Sequence, residues 1–146
     1  MSTYIRELSV RWSDLDPNFH MRNSAYYDFG AQQRVEILTA YGISPQLMNE
    51  EHFGPVLFRE ECVFKKEIRF GDRLYLSTEI SKLRSDASRW TFRHVFLGAD
   101  QLTVLAVITA EGAWMNTVLR KLSSPVPEIV ITAMKAFPKT EDFQLL

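Results

Sequence analysis

From Val56 to Phe96 apolar and polar residues alternate with a period of two, the mark of strands that bury one face. Val56, Phe58, Cys62, Phe64, Ile68 and Phe70 share one face of a long strand, which Gly71-Asp72 closes with a turn. Leu74, Leu76, Thr78 and Ile80 line the next strand, Ser85-Asp86 turns the chain, and Trp90, Phe92, His94 and Phe96 line the one after. Beyond the tight turn at Gly98-Ala99-Asp100, Leu102 to Ala110 is apolar on both faces, the pattern of a strand covered on both sides, and it runs on toward Val118. Ahead of these strands, Tyr4 to Trp12 reads as a first strand that stops where Asp14, Asp16 and Pro17 bring turn chemistry.

The segment after that turn has helical spacing instead. Tyr26, Gly30, Gln33 or Arg34, Ile37 and Tyr41 form one stripe, and Tyr27, Ala31, Val35 and Leu38 a neighbouring one, so the helix is expected to be largely buried. Asn23 or Ser24 is the expected N-cap, Gly42 the expected C′ residue, and Ile43 to Phe53 a short second helix or loop. Pro125 and Pro127 end the sheet, Glu128 to Ala136 predicts a terminal helix, and Pro138 to Leu146 a loosely held tail. The pattern predicts an α+β architecture: an antiparallel five-stranded sheet wrapped about one long central helix. One domain is expected over residues 1–146, with its core at about 4–127 and the short helix and tail at 128–146.

Composition narrows the function classes. The 46% hydrophobic and 24% charged content is that of an ordinary globular chain. No apolar run reaches the roughly 18–20 residues that span a bilayer, and Met1 to Glu7 lacks a basic start followed by an apolar block, so a cytoplasmic protein without a membrane role is expected. A net charge of −1 gives no global field to recruit nucleic acid. The single Cys62 and three scattered His offer neither a disulfide nor a zinc-like ligand spacing, so no metal or other cofactor is expected.

Chemistry concentrates in the loop between the first strand and the long helix, where polar side chains collect at a helix N-terminus that favours developing negative charge. Asp16, Asn18 and His20 are spaced two apart, so in an extended loop all three project to one side. Backbone N–H groups from Phe19 to Asn23 are the candidate oxyanion donors. Asp14 and Asp16 are also good turn-forming acids, and Asn23 a good cap. Cys62, alone on an apolar face, reads as a small core residue, and His94 as an inward-facing strand residue.

This loop, Trp12-Ser13-Asp14-Leu15-Asp16-x-Asn18-x-His20-x-x-Asn23, resembles the active-site signature of hotdog-fold acyl thioesterases, especially that of acyl-ACP thioesterases. In length the chain is similar instead to single-hotdog acyl-CoA thioesterases related to 4-hydroxybenzoyl-CoA thioesterase, and the similarity runs from Tyr4 to Pro127. The resemblance implies a hotdog fold, a homodimer, with further pairing to a homotetramer left open, and an enzyme of lipid metabolism that hydrolyses an acyl thioester. Asp16 would activate water or attack the thioester itself; Asn18 would orient water or the substrate carbonyl, and His20 would polarise it or carry a proton. Glu61-Cys62 resembles a Glu-Cys pair of the acyl-ACP enzymes in which the Glu joins this set, although alternation puts Glu60 on the apolar face and Glu61 would need a bulge.

Two departures stand out: bulky Phe19 occupies the place before the His where relatives usually carry Gly, reshaping the loop or narrowing the acyl pocket. Gly30-Ala31-Gln32-Gln33 replaces an acid often found one turn into the helix. For the substrate, Tyr26, Tyr27, Phe29 and Phe58 are expected to line an apolar acyl pocket between helix and dimer interface, with Phe19 and Asn23 as further substrate contacts. Lys65 and Arg69 are expected to meet the phosphates of CoA or acyl-carrier protein, with Lys66, Arg73, Arg120 and Lys121 as further candidates. The expected function is that of an acyl-CoA thioesterase; the alternatives are an acyl-ACP thioesterase and a hotdog module that binds thioesters or a partner without catalysis.

Overall fold

A computed structural model describes residues 3–146; the first two residues of the expected domain lie outside them. The chain forms β1 (Ile5–Ser9), a 3-10 turn (Trp12–Asp14), α1 (Asn23–Ala40), α2 (Pro45–Glu50), β2 (Phe53–Phe64), β3 (Arg73–Leu83), β4 (Arg89–Leu97), β5 (Val104–Asn116), β6 (Lys121–Leu122), α3 (Glu128–Ala136) and β7 (Lys139–Leu145). The sheet has the order β1-β3-β4-β5-β2, with β6 added to β5 and β7 to β3, and it curls around α1. The five expected strands are there as an antiparallel set, and the hotdog arrangement stands.

Several expectations need correction. The long strand from Val56 ends at Phe64, because Lys65-Lys66-Glu67 leaves the ladder to form the wall facing the loop. The tail is not loose: β7 runs parallel to β3 and covers the half of its edge that β1 leaves open, with Asp142 clamped by Arg93 at 2.9 and 3.1 Å. β5 is not covered on both sides: Ala106, Ile108 and Ala110 are buried, while Leu105, Val107 and Thr109 are only half-buried. Asn23 is the first helical residue and not the cap, which is Arg22 without a capping side-chain bond.

The core is divided in two by a polar layer. One apolar cluster holds Ala25, Tyr26, Leu74, Leu76, Phe96, Ala106 and Ile108; the other holds Ile37, Leu38, Ile80, Leu83, Phe92, Trp90 and Ala110, closed by α3. Along α1 the residues between the clusters are Gln33 and Arg34, along β3 Thr78, and along β4 His94, all four buried. Gln33 Nε2 donates to Thr78 Oγ1 at 2.9 Å and to the Leu76 carbonyl at 2.7 Å. Arg34 reaches His94 Nε2 at 2.9 Å and donates to Glu60 Oε2 at 3.0 Å, and His94 Nδ1 lies 2.8 Å from Thr78 Oγ1.

Because a guanidinium can only donate, His94 Nε2 accepts and its proton sits on Nδ1, directed to Thr78. A buried polar layer satisfied in this way costs more when misaligned than an apolar one, so it sets how α1 seats on the sheet. Gly30 lets the helix approach: a Cβ there would meet Ile108 at 3.3 Å and His94 at 3.4 Å.

Candidate functional site

The loop after β1 is closed by an antiparallel bridge between Leu15 and Met21 and stitched to the segment after β2 by a second, His20 to Arg69. Asp14 is structural: 1% exposed, it takes three bonds from Arg11, which hold its carboxyl below the usual carboxylate range. Asp16 divides its work. Its Oδ1 accepts the amides of Asn18 at 2.8 Å and His20 at 3.1 Å, while Oδ2 has no donor among the described residues. Asp16 is therefore the turn former its residue type allows and still keeps one oxygen unspent.

The residue ahead of His20 explains the usual glycine. Phe19 has a φ of 63°, the left-handed backbone that glycine adopts without cost, and its ring turns out to solvent 5.8 Å from Trp12. The loop keeps its turn despite the Phe, and the ring lies outside the cavity beside the loop, so it does not narrow that cavity.

That cavity, of about 280 Å³, is lined by Asp16, His20, Asn23, Tyr26 and, across from them, Phe64 to Ile68. His20 Nε2 stands 3.2 Å from Glu67 Oε2, a partner that sequence reasoning missed. Burial pushes the Tyr26 phenol up to about 12, so it stays neutral beside Asp16. The expected grouping is partly met: Asp16, His20, Asn23, Tyr26 and Lys65 are together, whereas Asn18 is exposed and does not line the cavity.

Of the amides from Phe19 to Asn23, four are already used: Phe19 on the Asp16 carbonyl, His20 on Asp16 Oδ1, Met21 on the Ile68 carbonyl and Arg22 on the Asp14 carbonyl. The amide of Asn23, at the first turn of α1, has no acceptor among the described residues.

Four other expected residues lie elsewhere. Glu61 points outward, bound to Arg59 at 2.8 Å: the bulge falls earlier, between Leu57 and Arg59, and beyond it regular alternation keeps Glu60 as the inward residue. Phe58 sits at that bulge, half-exposed under Arg89. Arg69 is exposed and paired with Glu67. Tyr27 is half-buried next to Cys62, whose thiol is pushed up to about 11 by burial and then by Glu60, the state of an unreactive core thiol.

A second cavity, of about 380 Å³ and mostly apolar, lies between the second half of α1, the start of β2 and the aromatic residues Trp90, Phe92 and Trp114. The order of residue types along any one strand does not announce it, since it forms where five elements meet. Among the described residues no cluster of three His, Cys, Asp or Glu is placed to hold a metal, and no helix is long and apolar enough to cross a membrane.

Residues 10–134 match the family described as the thioesterase-like superfamily. The chain belongs to that superfamily. Solved structures with the same fold include a hypothetical protein of Staphylococcus aureus in complex with CoA, 16% identical with a TM-score of 0.84 over 92% of this chain and 82% of that one. A 1,4-dihydroxy-2-naphthoyl-CoA thioesterase from Synechocystis is 19% identical, with a TM-score of 0.80 over 92% of this chain and 97% of its own. A gentisyl-coenzyme A thioesterase is 21% identical, with a TM-score of 0.77 over 89% and 98%. Among curated proteins there is no match. These likenesses place the superfamily chain on the hotdog fold that the loop motif implied.

Proposed function

We propose that the chain is a hydrolase of acyl-CoA thioesters, working as a homodimer with Asp16 as its catalytic carboxylate. The observation that carries this reading is the split role of Asp16: Oδ1 is pinned by two amides, and Oδ2 is left without a donor on the cavity that also holds His20 and the free amide of Asn23. A carboxylate held by one oxygen presents the other in a fixed direction, to a water as general base or to the thioester carbon as nucleophile. The Asn23 amide, at the positive end of α1, is the oxyanion donor, in place of the wider set expected from the loop. His20, oriented by Glu67, supplies the thiolate leaving group with a proton. Lys65 and Lys66, beside the cavity, meet the CoA phosphates.

The pairing argument comes from β2. It is the last strand of the sheet, its outer edge carries no strand among the described residues, and Leu57, Phe58, Val63 and Phe64 are each about half-exposed along it. Such an edge invites pairing with a second copy. Antiparallel pairing of two β2 strands sets the Phe64 end, a wall of the loop cavity, beside the start of the partner's β2, a wall of its apolar cavity. The acyl site is then shared between copies.

The test is thiol release from short, long and aromatic acyl-CoAs, with Asp16→Asn alongside. Asn keeps an oxygen for the two amides, so the loop holds while the charge is lost; turnover should fall by at least about a thousandfold, the scale of losing a catalytic group. Turnover that survives in Asp16→Asn removes Asp16 from its role. Release only from acyl-carrier protein would move the substrate to that carrier.

A further inference from the structure

Resting on the thioesterase reading, we infer that the apolar cavity receives the acyl tail, and that Arg34 and the Trp90 indole N–H select tails carrying a neutral oxygen, a hydroxyl or keto group. The cavity walls are hydrocarbon and aromatic, with Arg34 the one charged residue among them. A guanidinium has five N–H groups. Arg34 gives one to His94 and one to Glu60, and among the described residues the other three have no protein acceptor. Trp90, 3% exposed and lining the same cavity, has a buried Nε1–H with no acceptor among the described residues.

Buried donors are nearly always satisfied in folded proteins, so an orphan on a cavity wall asks for an acceptor in the cavity. Its polar side chains, Arg34 and Trp90, are donors only. A plain hydrocarbon tail would leave them unpaired, whereas an oxygen on the tail accepts from them.

Charge decides which oxygen. Glu60 already neutralises Arg34 at 3.0 Å, and the remaining lining is apolar. A tail ending in a carboxylate would add an unbalanced anion to an apolar cavity, which burial disfavours strongly. A hydroxyl or keto oxygen accepts from Arg34 or Trp90 without adding charge.

The experiment compares kcat/KM for octanoyl-CoA, a series of hydroxyoctanoyl-CoAs with the hydroxyl moved from carbon 4 to carbon 8, and the thioester of octanedioic acid. At one hydroxyl position the wild type should exceed octanoyl-CoA by about tenfold or more, as expected when a tail group satisfies a buried donor, with the dicarboxylic thioester below both. Trp90→Phe, which keeps the ring shape, and the paired change Arg34→Met with Glu60→Gln, which leaves no lone charge, should each shrink that ratio toward one. No favoured hydroxyl position, or a preference that both variants retain, overturns the inference.

Should no thioester be cleaved, the catalytic reading fails by itself, and the cavity is read by calorimetric titration with 2-naphthol and naphthalene. Tighter binding of 2-naphthol, weakened in Trp90→Phe, supports the selection of a neutral oxygen; equal affinities overturn it.

Discussion

The polar layer makes the folded protein sensitive to acid at one identifiable group. His94 is fully buried, and burial, then the Arg34 charge, push its imidazole down to about 3. The groups that face it are Arg34 from α1 and Thr78 from β3, with Glu60 on β2 acting through Arg34 and the Phe92 ring stacked beside it. In the unfolded chain the same imidazole titrates near 6.5. A lowered folded-state value means that the unfolded chain binds the proton more readily, so the His94 contribution is whole above pH 6.5 and is lost as pH falls toward 3. Between pH 7 and pH 4.5 the linkage amounts to about 2.5 kcal/mol, roughly a sixth to a half of the stability of an ordinary domain. The assay is urea unfolding followed by tryptophan fluorescence at the two pH values, for the wild type and for His94→Gln. Gln removes the titration while offering an oxygen to Arg34, so the variant starts less stable but loses about 2.5 kcal/mol less on acidification. Equal losses in the two proteins would refute the buried neutral imidazole.

Three further outcomes are expected. Gly112→Ala should destabilise by on the order of 3 kcal/mol or more, because its Cβ would overlap the Val56 carbonyl oxygen and the Trp90 ring, and a backbone oxygen cannot step aside; urea midpoints read it. Deleting residues 139–146 should lower stability by about 2–4 kcal/mol, since it removes the bonds from Ser85 to the Leu146 carbonyl and from Leu146 to the Leu83 carbonyl and uncovers half of the β3 edge; an unchanged midpoint would restore the loose tail. Glu61→Gln should leave kcat/KM within about twofold, as an exposed ion pair with Arg59 carries little, whereas a thousandfold loss would return Glu61 to the catalytic set.

What was readable from residue order follows the range of each interaction. Strands β3 and β4 and the first stripe of α1 were visible because burial of one face imposes its period directly on Leu74, Leu76, Ile80, Phe92 and Phe96, all buried as expected. β7 was not, because Lys-Thr-Glu-Asp-Phe-Gln-Leu carries too little apolar alternation; its place comes from backbone pairing with β3 and from Arg93, 49 residues away from Asp142 in sequence. The polar layer was hidden for a similar reason. Gln33, Arg34 and His94 each break an apolar stripe in isolation, and only the fold makes them partners of one another. The loop motif pointed to Asp16 and His20, but the exclusion of Asn18 and the loss of four amides depend on how the loop folds on itself and against Ile68.

Residue-type odds set the two readings of Asp16 against each other, as a turn-forming acid or as a catalytic one, and its geometry removes the opposition. A carboxylate has two oxygens, and a turn needs only one; the amides of Asn18 and His20 both fall on Oδ1. A freely rotating carboxylate would have to give up that freedom when the substrate is attacked, whereas one already fixed by the turn has done so in folding. The turn is thus the positioning device of the proposed chemistry. It follows that Asp16→Ala should harm the loop as well as the rate, while Asp16→Asn should separate the two.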